Sequence, residues 1–301
     1  TVCHGPPGTG KSFTLATIAI DHIARGQSVL VVSKKDHAVD VIYDKIHELL
    51  NSKKAIVRTG RSSYLKNFKG RVSKLLAERH SNTVDVAWQM ETVTEKLMSV
   101  LNEIEIEEQQ LREEYTRSIE RGEVSAKPNP NWYHRLLNLW AESQVKKRPI
   151  LITLTNHLRS LHQQKERIVR DLIIARQDYL QGLVMGYPDT RGDIKQLLTG
   201  LKKRKSSEQL KAFKSANFKS VLKVFPIWIT SLSDLHRVLP PTKEMFDVVI
   251  IDEASQCDIA SALPAIQRAK RVVIAGDAQQ LRHVAFIANS SMEKFARDLD
   301  L

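Results

Sequence analysis

The chain is 301 residues long, with 46 Lys and Arg against 34 Asp and Glu and a formal net charge of +12. At 42% hydrophobic and 27% charged residues its composition is that of a folded protein, and 12 Gly with 10 Pro disfavour a turn-rich all-β fold. The two cysteines, Cys3 and Cys257, cannot frame a disulfide scaffold, and no apolar stretch reaches the roughly 20 residues that span a bilayer. The expectation is a soluble intracellular protein, cytoplasmic or nuclear, with reduced thiols and no membrane partner. The chain opens without Met on Thr1-Val2-Cys3-His4, directly before a phosphate-loop pattern, so a fragment of a longer protein is expected.

Gly5-Pro6-Pro7-Gly8-Thr9-Gly10-Lys11-Ser12 fits G-x-x-x-x-G-K-[ST]. The end of a strand precedes it and a helix follows, in which Phe13, Leu15, Ala16, Ile18, Ala19 and Ile23 form the apolar face and Gly26 takes the C-cap. Glycines at these positions let backbone N–H groups curl round a phosphate, and the helix N-terminus adds its positive dipole end. Lys11 is expected to reach the β- and γ-phosphates of ATP, and the Ser12 hydroxyl to ligate Mg2+.

Short β-branched runs at 29–32, 55–57, 227–229, 248–251 and 272–275 read as buried parallel strands alternating with helices. That predicts an α/β doubly wound sheet with helices on both faces. The middle of the chain has another period. Leu97, Leu101, Ile104, Leu111 and Tyr115 form one helical stripe; Leu154, Leu158, Leu161, Ile168, Leu172, Ala175 and Tyr179 form a second. The segment 127–131, with two prolines, separates them; a Trp-bearing helix over 132–147 follows, and Pro149 opens the next. An antiparallel helical stalk is the natural outcome, with an intermolecular coiled coil as the alternative. Trp132 and Trp140 either pack between stalk helices or offer stacking platforms.

Residues 61–226 hold 30 Lys and Arg against 19 Asp and Glu, so almost all of the excess charge lies there. Basic runs flank an acidic centre. If the ends of this segment return to one place, they form a single positive surface suited to a polyanion.

At the end of the 248–251 strand, Asp252 supplies the metal-side carboxylate. Glu253 is placed to orient or deprotonate water in line with the γ-phosphate. The 272–275 strand leads into Gly276-Asp277-Ala278-Gln279-Gln280-Leu281, at the same carboxyl-end crevice, where a Gln amide can hydrogen-bond the γ-phosphate.

With these motifs in this order, the chain resembles the first RecA-like domain of a superfamily 1 helicase, in the branch of the nonsense-mediated-decay and Okazaki-fragment-maturation helicases. The matching stretches are GPPGTGKS at 5–12, DEASQ at 252–256 and GDAQQL at 276–281. Ala38-Val39-Asp40, Arg58-Thr59-Gly60 and Trp228-Ile229-Thr230-Ser231 add weaker matches. The chain departs from that branch at Lys35-Asp36, where Ser-Asn is usual, and at Arg282-His283, where prolines are.

The resemblance implies a P-loop NTPase fold over 1–60 and 224–301, with 61–223 as a helical stalk or accessory insertion that could dock a protein partner. It implies ATP hydrolysis carried by Lys11, Ser12, Asp252, Glu253 and Gln280. The nucleotide set is Gly5 to Phe13 with Gln256 and Asp277, Gln256 coupling nucleotide to domain movement. Single-stranded DNA or RNA would cross at Ser33, Lys35, His37, Arg58, Thr230 and Ser231. The second RecA-like domain, with its arginine finger, would lie outside these residues. Losing that Arg costs about 10³ to 10⁵ in turnover, so the fragment alone is expected to be weakly active. The alternative function is an ATP-gated binding switch without unwinding activity.

Overall fold

Runs of β-branched residues without polar alternation bury both of their faces only inside a parallel sheet covered on both sides. A computed structural model of the chain, which describes residues 2–5, 9–78, 83–125, 150–203 and 205–277, has that sheet. Its strands are β1 (Val2–His4), β2 (Val29–Ser33), β3 (Ile56–Arg58), β4 (Ile227–Ser231), β5 (Phe246–Asp252) and β6 (Ala269–Gly276). They run in the order β1-β6-β5-β2-β4-β3, every adjacent pair parallel. β2 and β4 are buried along their whole length.

Because all strands point one way, their carboxyl ends form a single edge. Register fixes the neighbours there: His4 beside Gly276, Ser33 beside both Asp252 and Ser231, and Arg58 beside Ile229. β6 lies between β1 and β5, so the loops after β1 and β5 are separated by two strand spacings, about 10 Å.

Helices α1 (Lys11–Ala24) and α2 (Asp36–Leu50) pack on each other and on the sheet, burying Leu15, Ala16, Ala19, Val39, Ile42 and Ile46. Gly26, at φ 77°, stands just past the end of α1. The chain continues through α3 (Ser62–Ala77), α4 (Thr83–Ser125), α5 (Ile150–Gly186), α6 (Pro188–Lys202), α7 (Ser206–Ser215), α8 (Phe218–Val224), α9 (Leu235–Val238) and α10 (Ile259–Gln267). A single apolar cluster joins Leu30, Val32, Val57, Trp228 and Val249 of the strands to Phe68, Val72 and Leu75 of α3, to Ile194, Leu197 and Leu201 of α6, and to Ala262 and Ala265 of α10. Trp228 anchors it, fully buried, its indole N–H donating to the Phe225 carbonyl at 2.8 Å and its ring edge-on to Phe68.

The chain divides into two compact units, residues 1–83 with 177–301, and residues 84–176. This boundary differs from the expected 61–223 insertion. The reason is burial: α3, α6, α7 and α8 contribute to the same core as the sheet. The second unit has its own small core of Val100 and Ile104 on α4 with Leu158 and Leu161 on α5, the two helices antiparallel. Glu107 meets His157 Nδ1 at 2.9 Å, and Glu108 lies 3.8 Å from His162. The buried line on α4 runs through Val100, not through the expected Leu101 and Tyr115, which are 39% and 62% exposed. The helix expected over 132–147, with Trp132 and Trp140, and the Pro149 start lie outside the described residues.

Candidate functional site

Gly10 adopts the left-handed region (φ 83°, ψ 15°) as the residue before α1, a conformation that costs glycine nothing. At Gly5, a β-carbon would fall 2.7 Å from Thr9 Oγ1 and 3.3 Å from Lys11 Cγ. A side chain at Gly5 would therefore force Thr9 or Lys11 to shift. Lys11, in the first turn of α1, folds back and its Nζ donates to the Gly5 carbonyl at 2.5 Å. Ser12 is half-buried beside it and Phe13 is 53% exposed. Pro6, Pro7, Gly8 and Gln280 lie outside the described residues.

At the end of β5, Asp252 is 4% exposed. Burial pushes its carboxyl above the ordinary range; a hydrogen bond from the Glu253 N–H opposes this, the Glu253 charge adds to it, and the Lys11 ammonium pulls it back down. Lys11 and Asp252 thus face each other electrostatically across the edge, although their strands are not neighbours. Burial disfavours the ionised form of this carboxyl, and a cation beside it would favour that form. Among the described residues no cluster of three or more His, Cys, Asp and Glu side chains forms a metal cage. Mg2+ suits this arrangement, since it is held by one or two protein oxygens together with substrate phosphates. Asp252 and the Ser12 hydroxyl are the donors of the right kind.

Glu253 sits at φ 54°, ψ 39°, where the strand breaks into a single 3-10 turn over Ala254–Gln256. That break turns Glu253 away from the strand direction, and Gln256 Nε2 donates to its Oε2 at 2.7 Å. The turn rests on Gly276 at the end of β6, where a β-carbon would meet the Ser255 N at 3.2 Å and the Ala254 N at 3.6 Å. Asp277 follows, 8% exposed. The structure thus brings together Gly5, Thr9 to Ser12, Asp252, Glu253, Gln256 and Asp277 along the β1-β6-β5 part of the edge.

Further along, Ser33, Thr230 and Ser231 close the ends of β2 and β4, buried at 0%, 0% and 2% exposure. Ser231 donates to Asp234 Oδ2 at 2.8 Å, while Thr230 Oγ1 is buried without a partner among the described residues. Lys35 and His37 are exposed at the start of α2. Arg58 differs from expectation. Its side chain is 2% exposed, with Nε on Asp40 at 2.8 Å, Nη2 on Asp36 at 3.1 Å and Nη1 on the Thr59 carbonyl, and it stacks on Tyr64 at 4.8 Å. Two carboxylates saturate this guanidinium, whereas Arg61, 54% exposed and 3.5 Å from Asp36, faces solvent. The reading of the sequence missed Asp36, Arg61, Tyr64 and Asp234. The i, i+4 spacing of Asp36 and Asp40 was the available signal, since it places both acids on one helix face.

A parallel sheet with a glycine-hinged loop and Lys after its edge strand, and a buried Asp two strands along, defines a P-loop NTPase domain. The chain belongs to the AAA_11 family, described as an AAA domain, whose pattern it matches over residues 1–286. It is 37% identical over 70 residues to the uncharacterized ATP-dependent helicase MG140 of Mycoplasma genitalium, a stretch covering 23% of this chain and 6% of that protein. The homolog in Mycoplasma pneumoniae is 36% identical over 66 residues, again 22% of this chain and 6% of the relative. The matched stretch is thus a small part of either helicase, and what this chain shares with them is a helicase-like P-loop domain. Among the described residues no helix is long and apolar enough to cross a membrane.

Proposed function

We propose that this chain is the ATP-binding and hydrolysing half of a helicase or translocase that moves on single-stranded DNA or RNA. The observation that supports it most directly is that the glycine-flanked Lys11 after β1 and the buried Asp252, followed by Glu253, at the end of β5 stand on the same carboxyl edge, one strand between them. In this reading the backbone of residues 5–12 cradles the phosphates, and Lys11 leaves the Gly5 carbonyl to neutralise β- and γ-oxygens. Ser12 and Asp252 would hold Mg2+, which would supply positive charge to the phosphates. Glu253 orients the attacking water and accepts its proton, with Gln256 holding the carboxylate, while Gln280 reads the γ-phosphate. Asp277 and Phe13 border the nucleotide.

A single strand crosses the β2 and β4 ends over the exposed Lys35 and His37, with the buried Ser33, Thr230 and Ser231 forming the floor beneath, and Arg58 supports that surface through Asp36 and Asp40. The transition-state arginine comes from a second RecA-like domain of the parent chain, so turnover by these residues alone is slow.

The test measures the affinity of the chain for a labelled single strand with and without a non-hydrolysable ATP analogue. Nucleotide and strand must alter each other's affinity reciprocally, by about 5- to 150-fold in coupled systems. Equal strand affinity in both conditions overturns the proposal. Glu253→Gln is expected to keep nucleotide affinity while turnover falls by about 10²- to 10⁴-fold, the usual worth of a positioned base.

A further inference from the structure

Residues 188–224 carry ten Lys and Arg against three Asp and Glu, a net +7 of the chain's +12. This tract folds as α6, α7 and α8. Their apolar sides, including Ile194, Leu197, Phe213, Phe218 and Val221, enter the core shared with the sheet, which turns the remaining faces outward. On those faces the cations recur at helical spacing: Lys195 and Lys202 on α6, Lys211 and Lys214 on α7, Lys219 and Lys223 on α8, all six exposed.

Two of the tract's three acids are engaged, and the third, Asp189, is exposed in the first turn of α6. Glu208 pairs with Lys203 at 3.4 Å, and Asp193 accepts from the Asn217 N–H at 2.9 Å. None of the six lysines is in an ion pair among the described residues. The aromatic rings of these helices point inward: Phe213 and Phe218 are buried, edge-on at 5.9 Å. Tyr187, before α6, is the exposed ring nearby.

A surface rich in flexible ammonium groups but poor in rings is suited to phosphates and not to stacked bases. A single strand splays its bases towards a protein; a duplex turns them inward and offers two rows of phosphate. We propose that the α6–α8 surface docks the phosphate backbone of a nucleic-acid double helix, without reading its sequence, separately from the single-strand path. The choice of polyanion rests on the motor reading above; the binding itself does not.

The test uses the full chain, short labelled DNA and RNA duplexes, the matching single strand, and phosphatidylserine vesicles, over a range of salt. One variant joins Lys202→Gln, Lys211→Gln, Lys214→Gln and Lys219→Gln. A control of equal net charge joins Lys45→Gln, Lys96→Gln, Arg112→Gln and Lys243→Gln, cations elsewhere that are exposed or, at Lys45, half-buried. The first variant is expected to lose about 10- to 100-fold in duplex affinity and to flatten the log–log salt slope by about 3 to 4, near 0.9 per lost phosphate contact. The control keeps its affinity within about 3-fold if location, not net charge, governs binding.

Equal loss in both variants, no loss in the first, or binding by vesicles in place of duplex overturns the proposal. Nucleotide-dependent single-strand affinity is read on the same proteins. Its absence from the wild type would sink the motor reading while leaving the comparison of the two variants intact.

Discussion

Asp252 shows how one residue exchanges stability for chemistry. A carboxyl whose pKa is raised by folding binds its proton more tightly in the folded state, so ionising it costs stability above that pKa. The cost begins to shrink as the pH falls through the folded value and is gone only below the unfolded one. Burial is the largest cause of the shift at Asp252. Asp252→Asn, which keeps the shape and removes the charge, is therefore expected to melt higher than the wild type at pH 7. Each kcal/mol recovered is worth about 2–4 °C in a domain of this size. The gap should close as the pH is lowered towards the carboxylate range, and the same variant should lose Mg2+-dependent nucleotide binding. A melting curve at pH 7 equal to or below that of the wild type would mean that the ionised form is already compensated inside the protein. Asp247 has the opposite sign. Burial raises its pKa, but hydrogen bonds from Lys270 and from the Ser28 hydroxyl and N–H outweigh this and hold the carboxyl below its ordinary range. Its contribution is present at neutral pH and disappears in acid, and it ties together the starts of β2, β5 and β6, at the end of the sheet away from the chemistry.

Helix packing decides which parts of the chain belong with the sheet. Gly200, in the last turn of α6, faces α7 so closely that a β-carbon would lie 2.7 Å from the Phe213 ring and 3.3 Å from Ala212 Cβ. Gly200→Ala gains up to about 1 kcal/mol of helix propensity and loses about 1–3 kcal/mol to overpacking. Because Phe213 is 3% exposed and held against Phe218, the loss is expected to prevail, lowering the denaturant midpoint. A midpoint at or above the wild type would show that the ring swings aside freely. The same packing explains what the sequence left unread. The strands at 29–32, 227–229 and 248–251 were legible because a run such as Val29 to Val32, with no polar alternation, has no other stable place. An amphipathic helix such as α3 or α6 announces that one face is buried but not against what, so residues 61–83 and 177–223 were expected in the insertion. At the site, Lys11, Ser12 and Asp252 were legible because phosphate chemistry fixes their spacing from the strand ends. The saturation of Arg58 by Asp36 and Asp40 was not, since it depends on α2 lying beside the end of β3.

At the scale of the whole molecule, the two units differ in how they are held. The unit of residues 1–83 and 177–301 has strands β2 and β4 buried end to end, with helices on both faces. The unit of residues 84–176 buries chiefly Val100, Ile104, Leu158 and Leu161 between two helices. Much of the remaining support on α4 is local: Arg112 with Glu108, and Arg117 with Glu113 and the half-buried Glu114, the exposed pairs worth about 0.3–0.5 kcal/mol each. Local opening should therefore need far less free energy in the helical pair than in the sheet. In hydrogen exchange read by mass spectrometry, peptides over 97–111 and 154–168 are expected to exchange well before those over 29–33 and 246–252. Leu161→Ala removes one of the four main buried side chains of the smaller core, at a cost of about 2–5 kcal/mol for a buried leucine. It should speed exchange in both helical segments and leave the strand peptides unchanged. If the helical amides instead stay protected as long as those of the strands, or if Leu161→Ala loosens the strands equally, the chain unfolds as a single cooperative body and this division of stability fails.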